Sequence, residues 1–194
     1  MSSPSPPAGG EGRGEGDSRV VYTVGHSNRS LEDFLAILKA HGILRVLDVR
    51  RYPASRKWPH FNAAALAQSL PDAGIDYVGL PHLGGRRRPI PDSPHRAWRE
   101  ESFRGFADFM DTPEFAAGLA EVERLAADRP STLLCAEALP WKCHRSLIAD
   151  ALVARGWEAR DVTSAAEARP HRLPKFARVE GGRVIYDVVE QQSF

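Results

Sequence analysis

The chain reads as an α/β protein: an open, mostly parallel five-stranded sheet with helices on both faces, Rossmann-like or flavodoxin-like, plus a small β-hairpin near the C-terminus. Three observations predict this. Short β-branched apolar runs alternate with stretches of helical periodicity along the chain. Glycines stand where the helices should stop. A hydrophobic content of 42% is enough to fill a core.

The elements follow in order. Val20-Val21-Tyr22-Thr23-Val24 is β-branched and aromatic, a strand ended by Gly25. Leu31, Phe34, Leu35 and Leu38 recur at helical spacing, with Ser30 and Asp33 as a capping pair and Gly42 as the stop. Ile43 to Val49 is a second strand, and Asn62 caps a helix that carries Leu66 and Leu70 and ends before Gly74. Ile75 to Leu80 is the third strand, and helices are expected over 97–111 and 113–128. The second of these has Thr112 as its cap and Pro113 in its first turn. Thr132 to Ala136, the helix Ser146 to Arg155 and the strand Trp157 to Thr163 complete the alternation. A hairpin is expected around Glu180-Gly181-Gly182, over about 176–187. If the strand order is 3-2-1-4-5, strands one and four adjoin at the switch point where open sheets bind ligands.

Composition limits the function. Of the 194 residues, 1–18 are nearly all Ser, Pro, Gly and charge, the signature of a disordered tail, which leaves one α/β domain over 19–194. No apolar run is long enough to span a bilayer, so no membrane partner is expected. There is no secretory signal, and two cysteines are too few for a disulfide scaffold, so the expected location is cytoplasmic. The net charge of +1 argues against a general nucleic-acid coat, yet residues 50–60 and 86–99 each carry a net +4. Two basic loops on an acidic body point to an anionic ligand.

Chemistry-bearing residues collect at the carboxyl ends of the expected strands. Gly25, His26, Ser27 and Asn28 form a turn before a helix N-terminus, a ready anion site. An ordinary loop with a capping Ser explains the same residues. Asp48 and Arg50 share strand parity and face one way, either as an internal ion pair or as ligand-binding groups. Ser55 and Arg56 stand among Tyr52, Trp58 and Phe61, a mix of rings and cations able to stack a base and hold a phosphate. Glu137 ends the fourth strand, where Arg145 or Arg50 can pair with its carboxylate; if it is instead poorly solvated, it is the best general acid–base candidate. Cys143, at a helix N-terminus beside Lys142, His144 and Arg145, is a candidate nucleophilic or redox thiol, while Cys135 reads as a buried small hydrophobe. Gly84 and Gly85 open a flexible cationic loop. The spacing Cys-x7-Cys-His matches no short-loop zinc pattern, so no metal is expected.

Taken together, Thr23-Val24-Gly25-His26-Ser27, Asp48-Val49-Arg50, Phe61-Asn62, Leu83-Gly84-Gly85, Cys135-Ala136-Glu137 and Cys143-His144-Arg145 resemble the DUF488 family (domain of unknown function 488). The resemblance runs from about Val20 to Thr163 and implies that these residues form one site. It names no reaction and no cofactor.

Three functions fit. The first is an enzyme that hydrolyses or transfers groups on a phosphorylated, nucleotide or nucleic-acid-derived substrate. In it Gly25 to Arg29, Arg50, Arg56 and Arg145 hold phosphate, Glu137 is acid or base, Asp48 orients a sugar or water, and Cys143 or His144 assists. The second is a non-catalytic nucleotide or nucleic-acid binding module. The third is a thiol enzyme using Cys143. Cysteines eight positions apart on different elements exclude a Cys-x-x-Cys oxidoreductase.

Overall fold

The strands are apolar on both faces, so the sheet must be covered on both sides. Val21, Leu47 and Leu133 face one core, and their neighbours Val46, Leu134 and Val24 face another. The computed structural model describes residues 19–187, so the tail expected over 1–18 lies outside the described residues. It contains β1 (Val20–Gly25), α1 (Leu31–Ala40), β2 (Arg45–Asp48), α2 (Ala63–Asp72) and β3 (Asp76–Gly79). Then come α3 (Glu101–Met110), α4 (Pro113–Asp128), β4 (Ser131–Cys135), α5 (Arg145–Ala154) and β5 (Glu158–Ser164). The chain closes with β6 (Glu167–Pro170) and a hairpin of β7 (Arg178–Glu180) and β8 (Arg183–Ile185). Helices α1 and α2 pack on one face of the sheet, and α3, α4 and α5 on the other.

The sheet order is β3-β2-β4-β1-β5-β6. Strands β1 and β4 are neighbours, as the order 3-2-1-4-5 requires, but β4 separates β1 from β2 where that order joins them. A sixth strand, β6, runs antiparallel along β5 and extends the expected five. Register sets the site. Gly25 lies opposite Cys135, and Asp48 opposite Leu134, so β1, β2 and β4 end level with one another. The ladder continues past the strand ends, with His26 N–H donating to the Cys135 carbonyl at 2.9 Å and Ser27 N–H to the Ala136 carbonyl at 2.8 Å. That crossing needs Gly25, because a Cβ there would overlap the Glu137 carbonyl oxygen.

Two local expectations change. Helix α3 starts at Glu101 rather than 97, because Ala97 N–H donates to the Tyr186 carbonyl at 3.0 Å and holds that turn on the hairpin. Asn62 precedes α2 without a side-chain cap, since its Oδ1 accepts from Ser55 N–H at 2.5 Å instead.

Candidate active site

Sequences far apart in the chain meet where β4 ends. Cys135 is the last residue of β4, and Cys143 immediately precedes His144, which caps α5. Both thiols are buried and unpaired by disulfide. His144 turns its ring between them, with Nδ1 at 3.9 Å from Cys135 Sγ and 3.8 Å from Cys143 Sγ. Its Nε2 lies 3.0 Å from the Val49 carbonyl, which can only accept, so the ring proton belongs on Nε2 and Nδ1 presents its lone pair to the sulfurs. The backbone N–H of Arg145 donates to Cys143 Sγ at 3.5 Å.

The thiols titrate together. The hydrogen bond from the Cys143 thiol, aided by the Arg145 charge, holds Cys135 well below the ordinary thiol range. Cys143 supplies that bond and is buried, so its own proton is held well above the range.

A cavity of about 260 Å³ opens over these groups. Four cations line it, Arg50, Arg51, Arg86 and Lys142, against a single carboxylate, Glu137. Arg51, Arg86 and Lys142 form no ion pair among the described residues. Tyr52 and Phe103 supply rings to its wall, and Gly85 its floor beside His144. The glycines are there for closeness rather than for flexibility. A Cβ on Gly84 would come within 2.5–2.6 Å of the Arg51 backbone, and one on Gly85 within 2.8 Å of His144 Nδ1. The basic loop that follows is also tethered, with Arg87 donating to the His82 carbonyl at 2.6 Å and Asp108 accepting from Ile90 N–H and the Ser93 hydroxyl.

Beside the cavity stands a closed ion-pair cluster. The Asp48 carboxylate accepts from Arg50 N–H at 3.1 Å, from Arg50 Nε at 2.8 Å and Nη2 at 2.5 Å, and from the Tyr77 hydroxyl at 2.8 Å. Arg50 Nη1 donates to His26 Nε2 at 3.1 Å. Burial and the Arg50 charge pull the His26 imidazole down to about 4, so it is neutral and acts as an acceptor. Asp48 therefore orients Arg50 rather than a sugar or water, and His26 braces it rather than binding an anion.

The family described as Domain of unknown function DUF488 matches residues 30–152, well over half of the chain. The protein belongs to the DUF488 family. No curated protein and no solved structure matches it.

In this DUF488 chain the expected residues divide. Glu137, Cys143, His144, Arg50 and Gly85 line the cavity, and Gly84 packs behind it. Ser27, Asn28, Ser55 and Arg56 do not line it. Ser55 is a turn residue whose hydroxyl accepts from Trp58 N–H at 3.0 Å, and Arg56 is exposed to solvent. Arg145 is wholly buried, donating to the Glu137 and Ala138 carbonyls at 2.5 and 3.0 Å, so it fixes the 137–138 turn instead of binding phosphate or the Glu137 carboxylate. Glu137 is exposed rather than desolvated. Sequence reasoning missed Arg51, Arg86 and Lys142, although the basic stretches held that signal for the two arginines. Ser102 and Phe103 on α3 carried none.

Proposed function

We propose that the protein is an enzyme that takes a small phosphorylated substrate, a nucleotide or a nucleic-acid component, into the cavity at the carboxyl end of β4, and hydrolyses it or transfers a group from it. One observation carries this reading: a cluster of two thiols and an imidazole sits on the floor of a cavity whose walls hold three cations with no carboxylate partner among the described residues. Cations left unpaired at a concave site favour an anion. The volume of about 260 Å³ lies just under the ~300–1,000 Å³ of ordinary ligand pockets and favours a mononucleotide-sized molecule over a polymer. Tyr52, exposed at the mouth, offers a ring to a base.

The orientation of His144 favours a thiol variant of the same reading. With Nε2–H held by Val49, Nδ1 is free to take a thiol proton, leaving a sulfur nucleophile beside the cavity.

The test is thermal-shift and calorimetric titration with inorganic phosphate, a nucleoside monophosphate and the matching nucleoside. Phosphate and nucleotide should stabilise the protein, the nucleoside should not, and affinity should fall as salt rises. Charge-assisted hydrogen bonds contribute about 1.5–3 kcal/mol each, so Arg51→Ala with Lys142→Ala should weaken nucleotide binding by tenfold or more. Equal stabilisation by the nucleoside, or no effect of the double variant, would overturn the reading. Binding without product on any nucleotide would leave a binding module in its place.

A further inference from the structure

We propose that Cys135 Sγ, Cys143 Sγ and His144 Nδ1 form a site for one zinc ion whose fourth coordination position opens into the cavity. The spacing of these residues in the sequence argues against a metal, but it describes knuckles built on short loops. Here the ligands come from a strand end and a helix start that the fold brings together.

Geometry comes first. The three donor atoms all lie within 4.8 Å of one another, and the two nitrogen–sulfur separations are 3.8 and 3.9 Å. A tetrahedral zinc with bonds of about 2.3 Å to sulfur and about 2.0–2.1 Å to nitrogen sets its neighbouring ligands roughly 3.6–3.8 Å apart. Closing onto the ion asks the nitrogen–sulfur pairs to shorten by a few tenths of an ångström and the two sulfurs to approach by at most about 1 Å, within the reach of side-chain rotation.

The surroundings agree. A zinc-bound imidazole almost always donates its other ring N–H to a carbonyl or carboxylate, which fixes its tautomer. His144 Nε2 does this with Val49 at 3.0 Å, so the nitrogen facing the sulfurs is the one able to bind a metal. The Arg145 N–H at 3.5 Å from Cys143 Sγ is the kind of donor that supports a coordinated thiolate. Two thiolates and an imidazole are a soft set that selects zinc over magnesium or calcium.

The number of ligands assigns the role. A structural zinc is closed by four protein ligands, whereas a catalytic one has three and leaves a position for water or substrate. Among the described residues this cluster has three, and its open side is the cavity. Glu137 lines the same cavity two residues beyond Cys135 and is not one of the three. A water in the open position would give one proton to the Glu137 carboxylate and its hydroxide to the electrophilic atom of the substrate. The bond to the leaving group breaks as that group takes the proton back from Glu137, so hydrolysis balances with no further reactant. This catalytic use rests on the function proposed above; the metal site itself does not.

The experiment uses the full chain, purified with a thiol reductant. Elemental analysis should find one zinc per chain after incubation with zinc and desalting. Replacement by cobalt should give a sulfur-to-cobalt charge-transfer band and the visible bands of a tetrahedral ion. Both signals should be lost in Cys135→Ser, Cys143→Ser and His144→Ala and kept in Arg51→Ala. Wild-type protein gives a measurement independent of those variants: zinc should shield both thiols from alkylation, and a chelator should restore their reactivity. Failure to take up zinc or cobalt, cobalt bands that survive loss of both cysteines, or thiols that react equally with and without zinc would each overturn the site. Anion binding in a protein that takes up no metal removes the zinc and leaves the proposed function standing. Zinc uptake without anion binding does the reverse.

Discussion

Two clusters sit side by side on the same rim of the sheet, and they differ in whether their hydrogen bonds are complete. At the end of β2, Asp48 takes four donors and Arg50 has used Nε, Nη1 and Nη2 on Asp48 and His26. At the end of β4, the sulfurs have one imidazole nitrogen between them and the Arg145 N–H on Cys143, and three cations around them, Arg51, Arg86 and Lys142, have no carboxylate partner among the described residues. Both clusters are rich in charge and buried at their base. A saturated cluster holds the chain in place; an unsaturated one facing a cavity has bonding capacity left for a ligand.

The most damaging way to break this contrast is within the saturated cluster. Asp48 and Arg50 are 1% and 5% exposed, so Asp48→Asn leaves a buried guanidinium without its counter-charge. The expected loss of folding stability is about 3–5 kcal/mol. Glu137→Gln, on the exposed side, should stay within about 0.5 kcal/mol of wild type while abolishing turnover. Urea denaturation of both variants makes the comparison. Equal losses would mean that hydrogen-bond saturation does not separate the two clusters.

The next largest effect comes from two histidines that answer pH in opposite directions. Burial and Arg50 pull His26 down to about 4 from 6.5. The unfolded chain then holds more protons than the folded one between those values, so stability is lost as pH falls from 6.5 through 4. For His171, burial lowers the imidazole, but its hydrogen bonds to Asp150 and Asp161, each 2.8 Å long, outweigh it and raise it to about 9. Its stabilisation is complete below 6.5 and is lost as pH rises through 9. Each change is on the order of 3 kcal/mol. Denaturation across pH should show His26→Gln flattening the acid side and His171→Gln flattening the alkaline side, with a smaller acid-side change in the latter because His171 also holds the Asp161 carboxyl low. A variant that shifts both sides equally would remove these assignments.

His171 also marks the limit of what the sequence reveals. Nothing near it in the chain singles it out, because its partners lie 10 and 21 positions away on β5 and α5. The alternation of strands and helices was legible because each is written in local periodicity, and α4 runs over 113–128 as its cap and proline predict. Strand β6 was not: Glu167-Ala168-Arg169-Pro170 is an edge strand with little to bury, so it carries no apolar pattern. Strand order stayed hidden for a different reason, since it depends on how crossovers pack. At the site, the residue types were legible but their bonding was not. The carbonyl that fixes the His144 ring is 95 positions away, and the hydroxyl that completes Asp48 is 29 away. Arg145 and Arg51 look alike as letters, yet one is spent on carbonyls and the other faces the cavity.

The finest distinction lies between two adjacent glycines. A methyl on Gly84 meets the Arg51 backbone at 2.5–2.6 Å, so chain must move against chain. A methyl on Gly85 meets His144 Nδ1 at 2.8 Å, and an imidazole can rotate away. Overpacking costs about 1–3 kcal/mol, and Gly84→Ala belongs at the upper end of that range and Gly85→Ala at the lower. Function should rank them the other way. The rotation that relieves Gly85→Ala takes Nδ1 off the two sulfurs and weakens the bond from Nε2 to Val49, the two constraints that define the site. Gly85→Ala is therefore expected to keep its fold, to shield its thiols less from alkylation on zinc addition, and to lose activity out of proportion to stability. If Gly85→Ala kept full activity with a shifted imidazole, the placement of His144 between the cysteines would be a packing outcome and not the reason for the cavity.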